Sequence, residues 1–370
     1  MHKKKFRKPD SLTFDKQFLY LILGLVVVGL VFVADISAPQ GLNSFNDRFY
    51  YLKSQSIAAV IGIGLMYIFS FINYNFLKKI ANPFFILSLI LLVLVFVPGL
   101  GYSALGAKRW INVGGFNFQP SEVVKLFLAI FIAKTAEGNK KTIAFFIPFI
   151  IVSGLIMLEP DLGTTIVVSV MALSQIWVSG IPFKHFFSSL VMGLLAVLGL
   201  ILVSPYRRDR VITFFENTVD PLDKGYHIRQ ILLALGSGGI FGLGIGQSRQ
   251  KYLFLPEAST DSIFAAISEE IGFIGSFVLI LVFAIFIFKA FKIASLAPDQ
   301  FSKILAVGIT AWIGGQILLN IAAMTALTPL TGIPLPFFSY GGTSLVMILI
   351  GCGILLNISR YATEKITHRR

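Results

Sequence analysis

Ten stretches of this chain are apolar enough and long enough to cross a lipid bilayer, and they leave little sequence for anything else. They fall at 18–34, 54–72, 83–99, 120–134, 142–159, 161–180, 186–204, 263–288, 304–326 and 343–359. A helix needs about 20 apolar residues to span the hydrocarbon core. Only 13% of the 370 residues are charged and 56% are hydrophobic. A soluble domain carries about 25% charged residues, so polar surface is too scarce to cover water-soluble domains of this length. The expected fold is an all-α polytopic membrane protein of ten transmembrane helices. A single membrane domain, 18–359, would lie between a basic head, 1–17, and a basic tail, 360–370. The first stretch reads as a retained span, because Asp35 and Pro39 follow it and no small-x-small cleavage site stands out. One cysteine, Cys352, excludes a disulfide scaffold. Scattered histidines at 2, 185, 227 and 368 argue against a histidine-rich metal centre.

Charge sets the orientation. With ten spans and the N-terminus inside, the cytoplasmic segments hold 19 of the 31 Lys and Arg but only five of the 18 acids. This is the positive-inside pattern, and it explains a net charge of +13 without a nucleic-acid partner. The segment 230–246 is also apolar, yet six of its residues are glycine, which weakens a helix. An eleventh span there would place Lys289, Lys292, Lys303 and the basic tail outside. It therefore reads as an interfacial or re-entrant element, which needs protein or water to satisfy its backbone.

The long extracytoplasmic sequence is then one loop, 205–262, between the seventh and eighth spans. A smaller one, 99–119, precedes the fourth. Loops this long are usually functional or disordered, and this one is too rich in apolar and aromatic residues for disorder. The two loops carry Lys108, Arg109, Arg207, Arg208, Arg210, Lys224, Arg229, Arg249 and Lys251. Cations outside run against the topological trend, so they suit anionic headgroups or a phosphate-bearing substrate. Glu257, Asp261, Glu269 and Glu270 surround the start of the eighth span. Asp261 could cap that helix or act as a general base at the membrane surface. Glu269 and Glu270 lie two turns deeper, where acids need a cavity or a cation. Lys125 offers one partner, Glu122 could pair with an arginine, and an ion pair is the expected role of Glu270. Glu159-Pro160-Asp161 could cap the sixth span or bind a cation, and capping and packing is the expected role. No HExxH, GxSxG or cysteine pair occurs, and Gly242-x-Gly244-x-Gly246 lacks the spacing of a dinucleotide fingerprint.

Several strings together resemble the SEDS family (shape, elongation, division, sporulation). They are Gly106-Ala107-Lys108-Arg109-Trp110-Ile111, Gln119-Pro120-Ser121-Glu122-x-x-Lys125 and Glu159-Pro160-Asp161-Leu162-Gly163-Thr164. Tyr206-Arg207-Arg208-x-Arg210, Gly225-Tyr226 and Ala234-Leu235-Gly236-Ser237-Gly238-Gly239 follow. Leu255-Pro256-Glu257-Ala258-x-Thr260-Asp261, Glu269-Glu270-x-Gly272 and Pro334-Leu335-Pro336-Phe337-x-Ser339-Tyr340-Gly341-Gly342 complete the set. They occur in family order from about 106 to 344. The run 244–251 looks closer to the FtsW-like than to the RodA-like branch.

The resemblance implies a peptidoglycan glycosyltransferase that polymerises lipid II at the outer face of the plasma membrane, in division or cell-shape maintenance. Its partner would be a class B penicillin-binding protein, a transpeptidase with a single transmembrane helix. The family's catalytic aspartate falls on Asp261. Ser259 and Ser262 stand where the family usually has histidine and phenylalanine, while Thr260-Asp261 is kept. The resemblance and the loop chemistry suggest Lys108, Arg109, Trp110, Glu122, Lys125, Arg207, Arg210, Lys251, Glu257, Thr260, Ser339 and Tyr340 as substrate contacts. Asp261 would take the proton of the acceptor hydroxyl, and the cations would stabilise the leaving lipid pyrophosphate. A divalent cation, Mg or Mn, could share that charge, although the sequence shows no dedicated cage. A lipid II flippase or a non-catalytic scaffold of the cell-wall complex are the other classes compatible with these residues.

Overall fold

The computed structural model describes residues 14–104, 107–113, 116–138, 141–203, 225–252 and 254–367. Each expected span coincides with a helix. These are α1 (Lys16–Ile36), α3 (Tyr50–Phe71), α4 (Tyr74–Leu94), α5 (Pro120–Glu137), α6 (Ile143–Leu158), α7 (Leu162–Val178) and α8 (Phe183–Val203), then α10 (Ile263–Ser295), α11 (Gln300–Met324) and α12 (Gly342–Thr367). Two further helices are α2 (Ala38–Phe45) and α9 (Tyr226–Gly238). Among the described residues, six helices are long and apolar enough to cross a membrane: α1, α3, α4, α10, α11 and α12. α12 continues to Thr367, so the expected tail from 360 begins as helix.

Local chemistry sets the helix starts. The Asp15 carboxylate accepts from the Phe18 amide at the head of α1, and Asp299 with Ser302 forms a reciprocal capping box on α11. Pro120 occupies the first position of α5, where its missing N–H costs nothing. Burial then sorts the helices into layers. In α11 and α12, 78% of the most apolar window is buried, against 28% in α4. α5 is buried along nearly its whole length. These three form the centre, and α1, α3 and α4 present apolar faces outward, as lipid contact requires.

The all-α expectation needs one correction. The described residues include a three-stranded antiparallel sheet of β1 (Gly101–Ala104), β2 (Ala107–Val113) and β3 (Phe116–Phe118). β2 pairs with β3 from Val113–Phe116 out to Ile111–Phe118. Aromatic and β-branched residues at 110, 111, 113, 116 and 118 suit strands.

The glycine-rich segment is half helix and half loop, and it repairs a broken helix. α10 is interrupted at Gly272, where φ is 69° and ψ is −171°. In a continuous helix the carbonyls of 269 and 270 would accept from the amides of 273 and 274. Here the amides of Leu243 and Gly244 donate to the Glu269 and Glu270 carbonyls, each at 3.0 Å. The Phe273 and Ile274 amides donate to the Gly239 and Ile240 carbonyls at 2.9 and 3.1 Å. All four groups freed by the break are thus satisfied, as buried backbone polar groups require. The contact is so close that a Cβ at Gly242 would overlap the Glu270 carbonyl oxygen.

Candidate active site

Asp261 lies one residue before Ser262, the N-cap of α10, and its side chain is partly buried. The N-cap position is Ser262, which makes no side-chain capping bond. Two loops hold Asp261. In its own loop, the Thr260 hydroxyl donates to Glu257 Oε2 at 2.7 Å, and the Thr260 and Ser262 amides both donate to the Glu257 carbonyl at 3.1 Å. From the loop before α12, Ser339 Oγ donates to the Thr260 carbonyl at 2.6 Å, and the Tyr340 amide donates to the Ser259 carbonyl at 2.8 Å. Gly332 of the same loop faces the Asp261 carboxylate: a Cβ there would lie 3.4 Å from Oδ2.

Behind these loops runs a buried polar chain. Asn320 Nδ2 donates to the carbonyls of Asp261 at 2.8 Å and Ile333 at 2.7 Å. One turn earlier on α11, Gln316 Nε2 donates to the Pro334 carbonyl at 3.1 Å. Gln316 Oε1 accepts from Lys125 Nζ at 3.2 Å and from Trp312 Nε1 at 3.0 Å. Lys125 also pairs with Glu122 at 2.7 Å, with both side chains almost wholly buried. The Lys125–Glu122 pair is therefore intrahelical, and among the described residues neither the expected link from Lys125 to Glu269 or Glu270 nor an arginine partner for Glu122 forms. Three residues apart on α5, they meet on one face. Glu122 Oε2 has no partner among the described residues.

Arg109 of β2 reaches the hinge between α6 and α7. It donates to the carbonyls of Glu159 at 3.1 Å and Pro160 at 2.6 Å, and lies 3.9 Å from Asp161 Oδ2. Asp161 caps α7 through the Thr164 amide at 2.9 Å, as expected of that motif. Glu159 is fully buried, and both its carboxylate oxygens lack a partner among the described residues. Gly163 packs under the Thr331 carbonyl, which ties this hinge to the loop beside Asp261. Lys108 is exposed and Trp110 partly buried on the same strand. Arg207 and Arg210 lie outside the described residues.

Lys251 departs from the expected substrate contact. It is 4% exposed. Its ammonium donates to both Asp35 carboxylate oxygens at 2.9 Å and to Glu270 Oε1 at 3.0 Å, which confirms the ion-pair role expected of Glu270. Burial pulls the pKa of Lys251 down, and its bonds to Asp35 and Glu270 more than offset this, so it stands above the ordinary lysine value. Glu269 holds the neighbouring turn, accepting from Ser248 Oγ, from the Arg249 and Gln250 amides, each at 3.2 Å, and from Ser237 Oγ.

Sequence reasoning missed Asp35, Gln40, Gln55, His227, Gln316 and Asn320. Gln40 accepts from Ser259 Oγ at 3.0 Å, Gln55 Nε2 donates to the Ser339 carbonyl at 3.1 Å, and His227 Nε2 meets Ser262 Oγ at 2.8 Å. The two serines that depart from the family pattern are thus both bonded. A signal existed for Gln316 and Asn320: two amides one turn apart in an otherwise apolar helix.

Residues 16–364 match the FtsW/RodA/SpoVE family model, described as "Cell cycle protein". Stage V sporulation protein E of Bacillus subtilis is 40% identical over 356 residues, covering 94% of this chain and 97% of that protein. A probable peptidoglycan glycosyltransferase FtsW of Geobacter sulfurreducens is 36% identical, covering 94% and 95%. A chain from a structure on coordination of polymerization and crosslinking by a peptidoglycan synthase complex superimposes with a TM-score of 0.78. It is 28% identical and covers 95% of this chain and 99% of that one. The Thermus thermophilus rod shape determining protein RodA gives 0.70 at 28% identity, covering 95% and 98%. With a family match spanning nearly its whole length, the chain belongs to the FtsW/RodA/SpoVE family and is a multi-pass membrane protein.

Proposed function

We propose that this chain is a peptidoglycan glycosyltransferase that polymerises lipid II at the outer face of the bacterial plasma membrane. The observation that carries the reading is Asp261, a partly buried carboxylate at the head of α10, fixed between two loops. The similarity to relatives named for this activity supports it. In the reaction, an acceptor sugar hydroxyl attacks the anomeric carbon of the donor. Its proton passes to Asp261, and the bond from the anomeric carbon to the pyrophosphate oxygen breaks with inversion. The lipid pyrophosphate leaves with its electron pair, so no acid needs to protonate it. Lys108 is free to face its charge, and Arg207 and Arg210 are assigned there by their sequence position. Arg109 serves the same region by fixing the hairpin to the 159–161 hinge. Glu257 and Ser339 act through the main chain around Asp261, and Lys125 with Glu122 supports the facing loop through Gln316.

A divalent cation would supply further charge for the pyrophosphate. The described residues offer it no ready cage, because no group of three His, Cys, Asp or Glu side chains is clustered among them. Each step above therefore uses this chain's own groups. The proposed topology has ten spans, cytoplasmic termini and the 205–262 loop outside, with a class B penicillin-binding protein as partner. The test is polymerisation of lipid II by the purified chain in detergent. Glycan strands support the enzyme, whereas lipid II crossing vesicle membranes without polymer formation would replace it with a flippase.

A further inference from the structure

Lys251 has three ammonium hydrogens and no acceptor capacity. Three carboxylate oxygens take them: Oδ1 and Oδ2 of Asp35 and Oε1 of Glu270. With its side chain only 3% exposed, it cannot reach a phosphate without breaking that set. What the set joins is informative. The part of α10 above Gly272 is a short rod of nine residues, 263–271, about 13 Å long at 1.5 Å per residue. Asp261 stands at its outer end and Glu269 and Glu270 at its inner end. The break at Gly272 removes the helical bonds that would tie this rod to the rest of α10. Its orientation therefore rests on lateral contacts, and the charged ones are at its inner end: Glu269 to the 248–250 turn, Glu270 to the Ser248 amide and Lys251, and Lys251 to Asp35 near the end of α1.

We propose that Lys251 is a positioning residue: through Asp35 and Glu270 it fixes the upper segment of α10 against α1 and so sets the Asp261 carboxylate for the acceptor hydroxyl. This rests on the role of Asp261 given above. The ion set also explains why an acid at the end of the first span faces inward, 216 residues away from its partner. Removing Lys251 leaves two carboxylates facing each other in a buried place, which drives the rod and α1 apart. A misplacement of about 1 Å at a reacting group costs about a hundredfold in rate.

The test is steady-state polymerisation of lipid II by the purified full chain, with kcat and KM separated. Lys251→Met should lower kcat about tenfold to a hundredfold and leave KM nearly unchanged. Neutralising the orphaned acids in the same chain, with Asp35→Asn and Glu270→Gln, should recover at least about threefold in kcat, the mark of coupled residues. A raised KM at parental kcat, or effects at 35 and 251 that simply multiply, overturns the proposal in favour of a phosphate contact. If Lys251→Met does not yield folded protein, Asp35→Asn alone decides. Positioning lowers kcat at constant KM, whereas a phosphate contact freed of its acid lowers KM and overturns the proposal. A parent chain that makes no glycan overturns the proposed function and this inference with it. A polymerising parent with uncoupled variants overturns this inference alone.

Discussion

Gly242→Ala and Gly236→Ala are the same chemical change six residues apart, and the structure gives them opposite signs. Gly242 has φ +84°, and a Cβ there would overlap the Glu270 carbonyl oxygen and crowd the Gly272 amide. The left-handed backbone costs a side chain about 1–2 kcal/mol. The overlap is with main chain, not with a flexible side-chain end, so relief must open the bonds from Leu243 and Gly244 to α10. Overpacking of this kind costs about 1–3 kcal/mol, which gives about 2–5 kcal/mol in all. Gly236 lies within α9 with nothing within 4 Å of its Cβ position, where alanine favours the helix by up to about 1 kcal/mol. Thermal unfolding of the two variants in one detergent reads the difference directly. Gly242→Ala should melt several degrees below the parent and Gly236→Ala at or above it. Equal melting of the two would refute the account of how the glycine-rich segment seals the break.

Three further outcomes follow from other parts of the molecule. Lys125→Met should cost about 3–5 kcal/mol of stability, because Glu122 is left charged and buried; Glu122→Gln in the same chain should recover most of the loss, measured by the same melting. Arg210→Gln should weaken lipid II binding about tenfold or more, the worth of a charged contact to phosphate, while Lys4→Gln in the basic head leaves it unchanged; equilibrium binding with labelled lipid II compares them. Single cysteines at Asn217 and Thr367, with Cys352→Ser, should react with an impermeant thiol reagent in intact cells at 217 and not at 367.

The helices were legible because apolar stretches of span length have few other uses, and all ten coincide with helices. That 230–246 is not one continuous helix was legible from its glycines. The three-stranded sheet was not, because its strands are short and the adjacent Lys108 and Arg109 break the apolar alternation that marks a strand. Ion-pair partners were the least legible. Glu122 and Lys125 are near in sequence and their pairing follows from helix spacing, yet Asp35 and Lys251 meet only because α1 packs beside the break in α10. The start of the helix that follows Asp261 was legible to within two residues, because the apolar run begins at Ile263.

The central claim is that Asp261 takes the acceptor's proton, and Asp261→Asn tests it most directly. The variant keeps the shape of the side chain, and the Asn320 bond to the residue 261 carbonyl is untouched. It should therefore insert, melt and bind lipid II like the parent. Its rate of lipid II polymerisation in detergent should fall by about 10²–10⁴-fold, the range of general base catalysis. Polymerisation within a few-fold of the parent would contradict the account.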